Sequence, residues 1–237
     1  MRAFGLPHHL AKADNEAGRI VAMTTSAQWH ERWPNGGWLT ERWREPIKPF
    51  ADWVPVDFLL AWIDVESGGQ LDNVSEIGER SLFQIHPDEQ SMLNIPDADF
   101  QALTTNAALS LKYGVMEAKK YATYAKRALA NAGSEWHGRD FWKMTKLFHG
   151  AFSIPSATLQ AFKAENHRGP VSWDELQTWA LNAAQQQDPI MTARVRSLIP
   201  KTFANAQKTG EISQVPAYDP TTTALASSLF KVYGLMI

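Results

Sequence analysis

The chain has 237 residues, of which 44% are hydrophobic and 20% charged, and its formal net charge at pH 7 is −2. This composition is typical of a globular protein with a sizeable core, and it excludes a global electrostatic field that would attract nucleic acid. The chain has no cysteine, which excludes disulfide bonds and thiol nucleophiles. No run of apolar residues is long enough to predict a transmembrane segment.

Residues 1–50 are mixed in composition and rich in turn formers and tryptophan. The WPNGGW string at 33–38 predicts tight turns, because Asn-Gly and Gly-Gly readily adopt positive φ angles. We therefore expect an irregular N-terminal extension that wraps on a later core. Its first residues lack the uninterrupted apolar stretch of a secretory signal peptide, so no signal peptide is predicted.

Residues 51–204 have a helical pattern and are predicted to form the catalytic domain. The first helix begins near Pro55 and ends at Gly68-Gly69, where glycine can adopt a left-handed cap. Residues 70–86 contain many turn formers and predict a small non-helical lobe with a short hairpin. The predicted fold class is therefore mainly α, with one small non-helical or β lobe.

Four further helices are predicted from periodicity and capping signals. Two of them span about residues 106–131 and 140–150, and a third is introduced by the capping box Ser172-Trp173-Asp174-Glu175. The fourth begins at Asp188-Pro189 and is interrupted or ended by Pro200. Residues 205–237 are interpreted as a linker and a short apolar tail.

Glu66 is unusual because it lies on the apolar side of the first helix, one turn after Trp62 and Ile63. Burial disfavours the charged form of a carboxyl group, and the negative end of the helix dipole does the same. Both effects favour a protonated Glu66, as a general acid requires. The alternative is a glutamate at a frayed helix end with its carboxylate in water.

An ordered set of short motifs begins at Glu66. These motifs are Glu66-Ser67, Ser75-Glu76-Ile77-Gly78, Ser81-Leu82-Phe83-Gln84-Ile85-His86-Pro87, and Asn106 followed by the LKYG of Leu111 to Gly114. They resemble the motifs of soluble lytic transglycosylases and the related goose-type lysozymes, namely Glu-Ser, Ser-x-x-Gly, Gly-Leu-Met-Gln-Ile-x-Pro and a helix with Asn-x-x-x-Gly. The resemblance runs from residue 66 to residue 114, and the helical pattern remains compatible with it to roughly residue 200.

The resemblance implies a lysozyme-like fold and cleavage of the β-1,4 bond between N-acetylmuramic acid and N-acetylglucosamine in peptidoglycan. Glu66 would act as general acid and then as base, and the product would carry a 1,6-anhydro ring. No cofactor is implied, and the histidines show no i, i+4 pair with a nearby ligand set, so no metal is expected. The substrate-binding residues implied by the resemblance are Ser67, Ser75, Leu82, Phe83, Gln84, Phe148 and His149.

The chain departs from the family pattern at several positions. The leading Gly of the third motif is Ser81 and its Met is Phe83, while the later Tyr-Asn pair falls at Phe148-His149. Phenylalanine cannot donate a hydrogen bond. Either His149 takes over a polar role at the substrate, or the hydroxyl of Tyr113 or Tyr121 does, or the activity is weakened.

Two alternatives to a transglycosylase remain open. A hydrolytic lysozyme would use a second carboxylate, for which Asp72, Glu76, Glu79 and Asp88 are candidates. A catalytically weak peptidoglycan-binding protein would be a structural component of a virion or secretion apparatus. In each case we expect glycan strands as the partner and the bacterial cell wall or periplasm as the location. A virion-associated enzyme is compatible with this, with residues 1–50 and 206–237 as attachment surfaces.

Overall fold

Helices account for most of the part of the chain that a computed structural model describes, which is residues 28–187, 189 and 191–213. The mainly α class is therefore confirmed. Residues 28–32 are helical. The later helices are α1 (Trp38–Glu41), α2 (Arg44–Ala51), α3 (Val56–Ser67), α4 (Pro87–Met92), α5 (Asp97–Ala102), α6 (Ala107–Ala132), α7 (Gly138–Gly150), α8 (Ser153–Asn166), α9 (Trp173–Gln185) and α10 (Ala193–Ile212).

Helix α3 lies at the centre of the fold, and every residue from Phe58 to Asp64 is buried. Its ends are the predicted ones. Pro55 is the extended N-cap, and Gly68 ends the helix with a φ of 58°, in the left-handed region that favours glycine. The backbone N–H of Gly68 donates to the carbonyl oxygen of Asp64 at 3.2 Å, which closes the last turn.

The prediction of an irregular N-terminal extension is wrong for residues 28–51, which are largely helical. Trp33 and Ile47 from this segment are fully buried in the same hydrophobic core as α3. The local turn signals were correct for residues 33–37, but burial of these apolar side chains organises their flanks into helices. Residues 1–27 lie outside the described residues.

Asp64 joins this N-terminal segment to α3. Its carboxylate is fully buried and accepts hydrogen bonds from the backbone N–H of Asn35 (3.2 Å), the side-chain amide of Asn35 (3.0 Å), the backbone N–H of Gly36 (2.7 Å) and the hydroxyl of Thr40 (3.0 Å). Buried carboxylates are tolerated when they accept several such bonds. The turn at 33–37 is thereby fixed beside the C-terminal half of α3.

The predicted non-helical lobe at 70–86 is confirmed in its position, although its pairing is limited to isolated antiparallel bridges between Val74 and Arg80 and between Arg80 and Ile85. Phe83, at its centre, is fully buried and packs directly over Gly114 of α6. A methyl group at Gly114 would overlap the Phe83 ring. The glycine of the LKYG motif therefore allows the lobe to approach α6.

Three of the four later predicted helices are found near their predicted positions, and the fourth differs from its prediction at both ends. Helix α6 begins directly after Asn106, in agreement with the predicted helix over 106–131, α7 covers the helix predicted over 140–150, and α9 starts at the predicted N-cap Ser172. The last helix starts after Thr192 rather than at Asp188-Pro189, and it continues through Pro200 to Ile212.

The helix continues past Pro200 because its downstream turns are held by tertiary packing. Phe203 and Ala206 are fully buried, and α10 packs mainly against α7. This burial outweighs the local cost of an interior proline. Residues 205–212, which were predicted to belong to the linker, are therefore helical, and residues 214–237 lie outside the described residues. Within the described part of the chain, no helix is both long and apolar enough to cross a membrane.

Candidate active site

A cavity of about 400 Å³ opens at the C-terminal end of α3. Its walls come from α3, the 70–86 lobe, α4, α7 and α10, so five separate parts of the chain converge there. The acidic groups that line it are Glu66, Glu79 and Glu89. The basic and imidazole groups are Lys146, Lys201, His86 and His149.

Glu66 enters this cavity with 22% of its side chain exposed, and it forms an ion pair with Lys146. The Lys146 ammonium is almost fully buried and lies 4.4 Å from the centroid of the Trp62 ring. The sequence predicted apolar surroundings for Glu66, and Trp62, one turn earlier, is fully buried. The groups beside the carboxylate, however, are Lys146 and His149. The lysine was not anticipated, and it places a positive charge directly beside the carboxylate.

His149 contacts the other side of the same ammonium. Its Nδ1 lies 2.7 Å from Nζ of Lys146 and 3.7 Å from Oε1 of Glu66. An ammonium group can only donate, so Nδ1 accepts and the ring proton is on Nε2. Burial, followed by the charge of Lys146, holds the pKa of His149 well below its usual range, so the ring is neutral.

Glu117 of α6 lies behind His149, with its Oε1 3.2 Å from Nε2 of the histidine. The residue is fully buried, and despite this short distance neither carboxyl oxygen forms a hydrogen bond of normal geometry with the described residues. Burial, reinforced by the negative charge of Glu89, raises the pKa of Glu117 well above its usual range. The site therefore contains one neutral, buried carboxyl group in addition to the ion-paired Glu66.

We expect Glu117→Gln to become progressively more stable than the wild type as the pH rises. Below about pH 4.3 a glutamate is protonated in both the folded and the unfolded chain. Above that pH the unfolded chain releases the proton while folded Glu117 keeps it. The wild type therefore loses stability relative to the variant by about 1.4 kcal/mol per pH unit, until folded Glu117 itself ionises.

Urea unfolding of both proteins at several pH values from 4 to 7 measures this divergence. The solvent-exposed Glu76→Gln is the matched control, and its stability should run parallel to that of the wild type. Parallel curves for Glu117→Gln would contradict a protonated Glu117.

The residues around His149 also form a candidate cation site. Among the described residues, the best-placed ligands for a cation are Glu89, Glu117 and His149, whose ligand atoms lie within 4.8 Å of one another. The position of Lys146 opposes such a site. A metal on Nε2 of His149 requires the proton on Nδ1, yet Nδ1 faces the Lys146 ammonium. A proton on Glu117 removes one negative charge from this cluster, as a metal ion would offset it, and it does not require the His149 proton to move to Nδ1.

Two of the predicted site residues, Glu66 and His149, line the cavity. Ser67 is buried, and its hydroxyl donates to the carbonyl oxygen of Leu82 at 2.8 Å and accepts from the N–H of Gly69 at 3.2 Å. It therefore ties the end of α3 to the 70–86 lobe. Leu82 and Phe83 are fully buried in the core.

The other predicted substrate-binding residues have partners within the protein. The Ser75 hydroxyl accepts from the N–H of Glu79 at 3.1 Å, and the Gln84 amide donates to the carbonyl oxygen of Ser81 at 2.7 Å. Phe148 is 2% exposed and packs near the rings of Tyr124 and Phe152. Of the polar groups considered as substitutes for the family tyrosine, His149 reaches Glu66.

The two tyrosines considered as substitutes donate their hydroxyls to other acids. Tyr113 donates to Asp99 at 2.6 Å, and Tyr121 donates to Glu89. The ring of Tyr121 nevertheless lies 5.6 Å from the His149 ring, so it forms part of the cluster behind Glu66.

Sequence reasoning did not identify Lys146, Glu117 or Lys201. Lys146 is placed three residues before His149, so the two lie on the same face of α7. The sequence signal that could have identified Lys146 is its position four residues after Trp142, which is buried, because this spacing puts both residues on the same face of α7. Comparison of the chain with protein-family models, with curated proteins and with solved structures gave no match.

Proposed function

We propose that this protein is a peptidoglycan lytic transglycosylase with a lysozyme-like helical domain. The observation that carries the proposal is Glu66, which stands at the glycine-capped end of a buried helix and enters a cavity of about 400 Å³. This volume is in the usual range for sites that bind small ligands or short glycan segments. The ordered motifs from Glu66 to Gly114 add the substrate class.

In the proposed reaction, protonated Glu66 gives its proton to the glycosidic oxygen, and the bond from that oxygen to C1 of N-acetylmuramic acid breaks. The Glu66 carboxylate then takes the proton of the C6 hydroxyl while O6 bonds to C1. No water is consumed, and the anhydro ring forms. Because the nucleophile belongs to the substrate, the second carboxylate that ordinary glycosidases place about 5 to 9.5 Å away is not required.

The test is digestion of purified sacculi, with the masses of the released fragments as the readout. We expect fragments lighter by one water than ordinary reducing ends. Ordinary reducing ends would instead identify a hydrolytic lysozyme. A protein that binds sacculi and releases no fragments at any pH would contradict an enzymatic role.

A hydrolytic lysozyme is the second candidate, and one observation favours it. Glu79 lines the same cavity as Glu66, whereas the other carboxylates considered from sequence do not line it. Glu79 would then activate a water molecule. Under either enzymatic proposal the protein acts at the bacterial cell wall. The proposed attachment surfaces for a virion or a secretion apparatus are confined to residues 1–27 and 214–237, because residues 28–50 and 206–213 take part in the helical core.

A further inference from the structure

Lys146 has a position that the proposed reaction does not explain. A general acid needs a proton before catalysis, yet Glu66 forms an ion pair with the ammonium group of Lys146. Lys146 is 2% exposed, so this ammonium is held by Glu66, Nδ1 of His149 and the Trp62 ring rather than by water. An ion pair with a purely structural role would not need to involve Glu66, which is the carboxylate at the end of α3 that enters the cavity.

We propose that Lys146 is a positioning residue that stores the proton that Glu66 delivers to the glycosidic oxygen. The inference rests on the proposed function. Lys146 acts through Glu66 and does not itself touch the substrate.

The charges around Lys146 make such a transfer feasible. Glu66 on α3 is the acceptor, and His149 on α7 is neutral. Burial raises the pKa of Glu117 on α6, which favours its neutral form and so reduces the negative charge that would hold the proton on the lysine. Glu89 on α4 is stabilised by two hydrogen bonds, which it accepts from the backbone N–H of His86 and from Tyr121. Lys201 on α10 also lines the cavity and is exposed.

Binding of the substrate provides the driving force for transfer of the proton from Lys146 to Glu66. Glu66 is 22% exposed in the empty cavity, and a glycan that fills the cavity removes the water around it. Desolvation penalises both members of an ion pair, and the penalty falls when the pair becomes neutral. The proton therefore moves from Nζ of Lys146 to Oε1 of Glu66, which leaves a neutral amine and a carboxylic acid.

The proton balance then closes over one cycle. The Glu66 carboxylic acid protonates the leaving oxygen and becomes a carboxylate. That carboxylate takes the proton of the C6 hydroxyl as the anhydro ring closes. When the product leaves and water returns, the proton passes back to the Lys146 amine, which restores the ion pair.

A simpler role for Lys146 predicts the opposite pH effect. If the ammonium merely keeps Glu66 ionised, its removal should make protonated Glu66 available at higher pH, and the alkaline limb of the activity profile should move up. If Lys146 supplies the proton, its removal leaves only the solvent as the source. The alkaline limb should then move down.

The experiment measures the pH profile of sacculus cleavage by the full chain from pH 4 to pH 9 for Lys146→Met and Lys146→Arg. Methionine has a similar length without a charge, and arginine keeps the charge but does not release its proton. We expect both variants to lose activity by about tenfold or more at pH 7 and to recover at acid pH, where solvent protonates Glu66 directly. Arginine preserves the ion pair, so Lys146→Arg remains informative if Lys146→Met does not fold.

Lys143→Met is the matched control. Lys143 lies one turn earlier on α7, is 7% exposed, and has its Nζ 5.7 Å from the Trp173 ring, but it does not line the cavity. Its substitution should leave both limbs of the pH profile in place.

Three outcomes would overturn the inference. They are an alkaline limb that moves up in Lys146→Met, a uniform loss at every pH without a shift, and a Lys146→Arg variant as active as the wild type at pH 7. In each case anhydro fragments from the wild type would leave the proposed function intact. Absence of cleavage by the wild type at every pH would overturn both.

Discussion

Glu66→Gln is expected to lower the rate of sacculus cleavage by about 10²- to 10⁴-fold, the usual contribution of a general acid or base. Glutamine has nearly the same size and its amide oxygen can still accept a hydrogen bond from Lys146, so the fold should be preserved. Fragment release measured by mass gives the rate. Binding of the variant to sacculi, measured by co-sedimentation, should remain, because the substitution removes a proton donor rather than a surface.

Glu79→Gln is the matched control for this substitution, since both carboxylates line the same cavity. A transglycosylase needs one acid and should retain most of its activity in Glu79→Gln. Comparable losses in both variants would favour the hydrolytic mechanism with two carboxylates. An unchanged rate in Glu66→Gln would contradict the proposed catalytic role outright.

Asp64→Asn is expected to lower the free energy of unfolding by about 3 kcal/mol. The buried carboxylate accepts four hydrogen bonds from residues 35–40, and an asparagine would present an amide group to one or more of those donors. Hydrogen bonds to charged groups contribute about 1.5 to 3 kcal/mol each, and unsatisfied buried donors add a further cost. Urea unfolding measures the change.

Asp57→Asn on the same helix is the control for this prediction. Asp57 is 30% exposed and pairs with Arg32 and Arg44 at the surface. Partly exposed pairs of this kind contribute about 1 kcal/mol or less. A loss in Asp64→Asn as small as that of the control would show that the 35–40 turn does not depend on the carboxylate.

The two carboxylates near the C-terminal end of α3, Asp64 and Glu66, have different partners and different roles. Asp64 faces the N-terminal segment and Glu66 faces the cavity, although only Val65 lies between them. The two carboxylates therefore point to different sides of α3. One stabilises the position of the helix, and the other is left for chemistry.

Local signals predicted the elements that depend on neighbouring residues. The end of α3 follows from Gly68, the start of α6 from Asn106, and the start of α9 from Ser172, because each cap satisfies backbone groups within a few residues. The same locality made Glu66 recognisable as a carboxylate at a helix end.

Local signals failed where distant packing decides the conformation. Pro200 is a strong helix breaker, yet α10 continues through it because Phe203 and Ala206 are buried. Turn formers at 33–38 suggested an irregular segment, yet Trp33 is buried in the core and the segment is held to α3. In both cases the free energy of burial exceeds the local preference.

The sequence by itself determined the mainly helical class, the glycine-capped end of α3 and the identity of the candidate acid, since these depend on contacts within one or two helical turns. Only the tertiary structure decided the environment of that acid. Lys146 lies 80 residues from Glu66 along the chain and reaches it because α7 packs beside the end of α3. Periodicity shows which face of each helix is buried, but the pairing of faces depends on the packing of the whole core.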